Sequence, residues 1–476
     1  MIVRAHSPLP LLGLCLMAMT ACVPKGPEPK AEVPELPPTF DGTVGQRTPR
    51  SVPWNSFLQD SQLRELVRQA LRDNLELKIA AERVEVARAS VRLAKGAQLP
   101  RVDFAAGAGV RKFGLYTMDG AGNATTDITP GQTVPEHLPD LAFGLQAKWE
   151  VDLWGKLKNQ RGAALARYLA SQEGVNLLIT SVVADVAINY FDLIAGKQGL
   201  DVLTRTLTHQ EEALDVMRLQ KKVGRVNELA VQQFASQLED TRAVRTRLTQ
   251  AVRETEIRLN LLLGRLPREI ASAAASPDKE LATSIELGIP SDLLENRPDI
   301  REARLLLEAA KCDVKAARAA FFPSVNITGG LGYQAFDPRF LLSTPESIAY
   351  SVSGGLVAPV VNRSAVRSEF DAASAGQLEA MYHYQKVVLT GFAEVAIGIS
   401  KVQRASEIVH QRKAKREALD NTVDTATLLF STGNAGYFEV LAAEQSALRV
   451  ELELIEAYRD ERNARVFLYR ALGGGW

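Results

Sequence analysis

Of 476 residues only five are histidine and three are cysteine. That leaves too few imidazoles for a metal-rich protein and too few thiols for a disulfide framework. Neither charge is in excess, with 56 basic and 56 acidic residues, so the chain lacks the basic field through which proteins hold nucleic acid. No HExxH, P-loop or GxSxG occurs, and His6, His137, His209, His383 and His410 lie on unrelated segments. The reading is therefore a non-enzyme with no cofactor and no metal site. Beyond the leader only Met118, Met217 and Met381 remain, so no thioether ladder for soft metal ions is present. The most informative shortage is proline. After Pro139 the next is Pro267, and after Pro359 there is none.

What is present begins with a leader. Arg4, the short apolar run Leu9 to Ala18 and the sequence Met19-Thr20-Ala21-Cys22 form a secretory signal too short to span a bilayer. Cys22 stands where a bacterial lipobox places its acylated cysteine, and Val23 rather than Asp follows it, which favours the outer membrane. Residues 1–21 are read as signal peptide and 22–53 as a lipidated tether, its eight prolines keeping it extended. Cys312, among Ala and Val on a helical stretch, is read as buried and inert.

The two proline-free tracts read as very long helices, about 156–221 and 363–431. At 1.5 Å per residue each is roughly 100 Å long. Val175, Ile179, Val182, Val186, Tyr190 and Leu193 in one, and Val388, Phe392, Val395, Ile399 and Val402 in the other, form heptad-like packing seams.

The chain also repeats itself. Residues 77–109 match 300–332 at an offset of 223; later, ADVAI (184–188) matches AEVAI (393–397) at an offset of 209, and Gly224 falls on Gly433. The first repeat (54–265) therefore carries extra residues, assigned to the polar loop 118–133. That loop has a calcium-loop flavour in Asp119, Asn123 and Asp127 but not the EF-hand spacing, and is read as an extracellular loop. A linker (266–290) leads to the second repeat (291–476). Each repeat reads helix, strand, loop, strand, very long helix, glycine turn, helix.

The strands are expected at about 101–116 and 141–154, and at about 324–336 and 348–361. LAFGLQAKWEVDL (141–153) alternates an apolar odd set with a polar or small even set. Strands of this length cross a bilayer, yet four cannot close a barrel, and open edges in lipid cost several kcal/mol per unpaired group. A barrel shared by several chains follows. The odd residues then face lipid, with Trp149 or Trp154 near an interface, and Gln146, Lys148, Glu150 and Asp152 face water.

The stretches SDLLENRPDIREARLLLEAAKCDVKAARAAFFPS (291–324), WEVDLWGKLKNQ (149–160), TGNAGYFEVLAAEQ (432–445) and YRALGGGW (469–476) resemble the TolC family of outer-membrane factors, in its NodT-type lipoprotein branch. The resemblance covers residues 54–476. It implies a mainly α fold with a membrane β part: a homotrimer whose 12-stranded outer-membrane β-barrel continues as a long periplasmic α-helical barrel. Its implied function is the exit duct of a tripartite efflux system, passively conducting substrate from a periplasmic adaptor and an inner-membrane pump of the RND type, with outer-membrane lipid around it. A type I secretion duct, or a lipid-anchored coiled-coil scaffold without a pore, are the alternatives.

Within that frame Gly224, Asn227, Gly433 and Asn434 are expected at helix tips that meet the adaptor, the glycines as left-handed C-caps and the asparagines as nearby caps. Glu439 matches a family position that narrows the pore. Ala442, where the family often has a second acid, and Ala230 in the first repeat complete the constriction candidates. Asp185, Asn189 and Asp192, spaced four and three, form a polar stripe beside the seam, facing either the lumen or outer solvent.

Overall fold

The computed structural model describes residues 36–37, 53–271, 292–358 and 364–474. The signal peptide, Cys22, most of the tether and most of the inter-repeat linker lie outside them. The elements in chain order are α1 (Trp54–Phe57), α2 (Ser61–Asp73), α3 (Leu75–Gly96), β1 (Arg101–Arg111), α4 (Met118–Thr125), β2 (Asp127–Thr129), β3 (Gln132–Thr133), β4 (Leu138–Val151), α5 (Lys156–Lys222) and α6 (Glu228–Leu262). The second half gives α7 (Leu293–Asn296), α8 (Pro298–Ala319), β5 (Ser324–Ala335), β6 (Ile348–Val357), α9 (Ser364–Ser431) and α10 (Tyr437–Ala471).

Repeat-related helices agree closely in length. α3 and α8 both have 22 residues, α6 and α10 both have 35, and α5 and α9 have 67 and 68. Two compact units emerge, one built on Val86–Tyr168 and Leu305–Met381, the other on Glu32–Glu85, Leu169–Arg304 and Tyr382–Trp476.

The first unit holds a four-stranded antiparallel sheet in the order β1-β4-β5-β6. Each repeat contributes one hairpin, and β4 joins them by pairing with β5. β1 stops at Arg111 rather than running to 116, and β6 stops at Val357. The loop 118–133 is not structureless: Thr117 accepts the Gly120 N–H at 3.1 Å and opens α4, and β2 and β3 form a small ribbon. Helix packing in this unit is modest, with Phe321 set edge-on against Phe370 at 5.9 Å beside Ala317. Cys312 is half-buried, against Gly162.

The second unit holds the main hydrophobic core. Val182, Val186, Tyr190 and Leu193 of the first seam are buried there with Phe57, Leu63, Val67, Leu259 and Val466. Phe57 stacks on Tyr469 at 4.1 Å. α5 has the length and apolar content of a membrane-spanning helix, but 56% of its most apolar stretch is buried inside the protein, with Val182, Val186, Tyr190 and Leu193 among the buried residues.

Within the same unit each repeat closes its helical hairpin in an equivalent way. In the first, the Asn74 side chain donates to the Leu262 carbonyl at the end of α6, 2.9 Å. In the second, Arg297 donates to the Ala471 carbonyl at the end of α10, 2.6 Å. The repeat offsets place Asn74 on Arg297, and Leu262 on Ala471.

Candidate duct surfaces

The pairing register builds the first surface. Phe104 lies opposite Leu145, Leu145 opposite Leu331, and Leu331 opposite Tyr350, a row across all four strands that is 69%, 51%, 59% and 82% exposed. The adjacent row is Asp103, Gln146, Gly330 and Ser351. Strand side chains alternate between faces, so the sheet carries one apolar and one polar or small face throughout. Val102, Phe143, Trp149, Ile327, Tyr333, Val352 and Leu356 fall on the apolar face, where Phe143 stacks on Tyr333 at 5.5 Å. In β1, β5 and β6 glycine and alanine thin the alternation of any single strand; only the register shows the rows to be continuous.

On the polar face the two middle strands approach closely at the paired Gly144 and Gly332. A Cβ on Gly144 would sit 2.5 Å from the Cα of Gly332, and one on Gly332 would strike the Phe143 carbonyl. Glycine at both positions is what allows the two backbones to come this close.

Where β4 ends, the polar residues turn to local work. Asp152 accepts the N–H groups of Leu157 and Lys158 at 3.0 and 2.7 Å, capping α5, and Glu150 pairs with Lys156 at 2.6 Å. These two, half-exposed, organise the strand-to-helix turn, while Gln146 and Lys148 are exposed. The Trp149 indole donates to the Gln98 carbonyl at 3.1 Å. Trp154 donates to the Pro323 carbonyl at 2.8 Å and stacks on Phe322 at 4.8 Å, tying the exit of β4 to the entry of β5.

The second surface is the pair of glycine turns. Gly224 has φ +74° and Gly433 φ +76°. In each the next residue closes back over the helix end, Arg225 N–H to the Gln220 carbonyl at 2.9 Å and Asn434 N–H to the Leu429 carbonyl at 2.8 Å. This is the left-handed helix stop in which glycine avoids a Cβ clash. Asn227 caps α6 by accepting the Ala230 N–H at 3.1 Å. Asn434 does not cap α10. Gly436 occupies the N-cap, without a side-chain bond, and Asn434 donates instead to Thr432 Oγ1 at 3.0 Å. The repeat places Gly436, not Asn434, on Asn227.

Glu439 lies exposed in the first turn of α10, and Ala442, three residues on, is exposed too. A carboxylate there is favoured by the helix dipole. Ala230 is 0% exposed, packed within its own chain, so it cannot line a passage; its buried place reflects the capping turn next to it.

The residues of the expected stripe are all half-buried, and Asp192 is bonded to a neighbouring helix. Asn189 donates to the Asp185 carbonyl of its own helix at 2.8 Å. Asp192 accepts from Asn463 at 3.1 Å and lies 3.7 Å from Arg459, beside a groove of about 710 Å³ that Gly196, Gly199, Arg247 and Leu452 also line. Asp185 is half-buried, and burial pushes its carboxyl above the usual carboxylate range, opposed by Arg470 and reinforced by Glu76. Sequence reasoning missed Arg297. It is buried, bound to Asp299 and Glu394, both at 2.7 Å. Burial pulls its pKa down, but these two carboxylates more than reverse that and leave it raised.

A family model described as outer membrane efflux protein matches residues 66–265 and 289–474. Over 475 residues the chain is 28% identical to the cation efflux system protein CusC of Escherichia coli O6:H1, with 99% of each chain covered. Over 481 residues it is 29% identical to the solvent efflux pump outer membrane protein SrpC of Pseudomonas putida, covering 98% of each. The crystal structure of a CusC channel superposes with a TM-score of 0.82 at 25% identity, over 95% of this chain and 100% of that one.

Proposed function

The chain belongs to the outer membrane efflux protein family and is an outer-membrane exit duct, and from that premise we propose how its own residues serve that role. The observation that carries the proposal is the sheet: four strands, one continuous apolar face, and two open edges at β1 and β6. Unpaired strand edges are not tolerated in lipid, so the edges are met by further copies. Three copies give a 12-stranded barrel with the rows of Leu145 and Leu331 toward lipid and those of Gln146 and Gly330 toward the passage.

A pore-free coiled-coil scaffold has no use for this exposed apolar face. Acylation of Cys22 anchors the chain, and the tether leads to α1. The Gly224 and Gly433 turns are the contacts for a periplasmic adaptor, which couples the duct to an inner-membrane pump of the RND type. Glu439 sets the charge at the narrowing near the second turn, and Ala442 leaves it with a single acidic ring. Cargo is selected by the pump: relatives named for cations and for solvents match to nearly the same degree, and among the described residues no cluster of three metal-ligating side chains occurs.

Deletion of the gene tests this. The deletion strain is expected to become sensitive to solvents, dyes or metal ions and to be rescued by the wild-type chain but not by Leu145→Lys. An unchanged susceptibility profile, with the protein recovered outside the outer-membrane fraction, contradicts it.

A further inference from the structure

The two glycine turns share one backbone but not one chemistry. Residues 215–229 carry four cations (Arg218, Lys221, Lys222, Arg225) and two carboxylates; the equivalent 424–438 carry Asp424 and no cation. Across the first turn Lys221 pairs with Glu228, and both are exposed. The same two positions in the second turn are Phe430 and Tyr437, half-buried against the cluster of Leu214, Met217 and Phe234. Arg218 is held by Asp215 at 3.0 Å. Among the described residues this leaves Lys222 and Arg225 exposed at the first turn without an ion-pair partner, beside exposed Leu219 and Val223. Their equivalents are Ser431 and Asn434, beside exposed Leu428 and Phe438.

We propose that the Val223–Gly224–Arg225 turn recognises a carboxylate-bearing surface of the adaptor through Lys222 and Arg225, while the Thr432–Gly433–Asn434 turn makes an uncharged, apolar contact. One adaptor hairpin therefore meets two unlike sites on each protomer, and charge complementarity steers it to the first. This rests on the reading of the turns as adaptor contacts.

The purified trimer is titrated with a fluorescein-labelled deca-glutamate peptide, with deca-glutamine as the neutral control. Binding of the acidic peptide is expected to weaken about tenfold in Lys222→Glu/Arg225→Glu, by an intermediate amount in Lys222→Gln/Arg225→Gln, and to fade as salt screens it. Arg404→Glu/Arg416→Glu, a reversal of the same size elsewhere on α9, should leave it unchanged. No binding by wild type, or equal binding by the reversed variant, overturns the proposal. In cells, photo-crosslinkers at Val223 and Thr432 separate it from the parent reading. Crosslinks from both turns to an adaptor, with efflux indifferent to Lys222→Glu/Arg225→Glu, overturn the charge assignment and leave the duct reading standing. No crosslink to an adaptor from either turn overturns both.

Discussion

The two repeats solve one closure problem with different side chains. In the second, Arg297 bonds the last carbonyl of α10 and lies between Asp299 and Glu394. The repeat places Glu76 on Asp299 and Asp185 on Glu394, but the first repeat has Asn74 where the arginine stands. Asn74 keeps the backbone bond to α6 and caps α3 through the Leu77 N–H at 3.1 Å. It brings no charge, so Asp185 lacks the bonded arginine its counterpart has, and burial raises its pKa against the weaker pull of Arg470. A duplicated fold thus conserves the hydrogen bond that closes the backbone while the electrostatics around it diverge.

The largest test of this comparison is Arg297→Ala. It strands Asp299 and Glu394 in a partly buried setting, and a loss of about 3–5 kcal/mol is expected, read as heat dissociation of the trimer. Next, Leu145→Lys and Leu331→Lys probe the sheet, where the repeats are directly paired. Each should cost about 2–4 kcal/mol and block membrane assembly, with Gln146→Lys close to neutral; full tolerance of either lysine would contradict a lipid-facing row across the paired strands. Asn74→Ala should cost about 2 kcal/mol, from one cap and one backbone bond, less than Arg297→Ala; the reverse order would contradict the assigned roles.

The smallest effect concerns pH. The native carboxyl of Asp185 has its pKa above the ordinary value, so the folded chain binds that proton more tightly than the unfolded one. This group therefore costs stability at neutral pH; the cost starts to shrink as pH falls below its native pKa and is gone below the ordinary, unfolded-state pKa. Asp185→Asn should remove that component of the stability–pH curve, and Asn74→Arg, which copies the second repeat, should shrink it. Curves that superpose on wild type would show that Asp185 does not contribute.

Much of this was legible in the sequence, because duplication, proline-free tracts and the alternation of 141–153 are each long-range patterns. Boundaries were less so. The loop 118–133 is built from Gly, Ala, Thr and Asn without apolar period, and only the Thr117 cap reveals its helix. The apolar face of β1, β5 and β6 depends on register, which a single strand does not encode when about a third or more of its residues are Gly or Ala. The polar stripe illustrates a different limit. Spacing places Asp185, Asn189 and Asp192 on one side of α5, but whether that side meets water or Arg459 and Asn463 depends on a helix more than 260 residues away in the chain. For the same reason Arg297 was visible in its motif, yet its link to Glu394 and Ala471 was not.

The central claim, a membrane duct assembled from copies of a four-stranded chain, is tested most directly by planar-bilayer recording of the purified protein. Stepwise ion conductance from a trimeric species, abolished in Leu145→Lys, is the predicted result. A protein that remains soluble without detergent once its anchor is removed, and that produces no conductance steps, would contradict it.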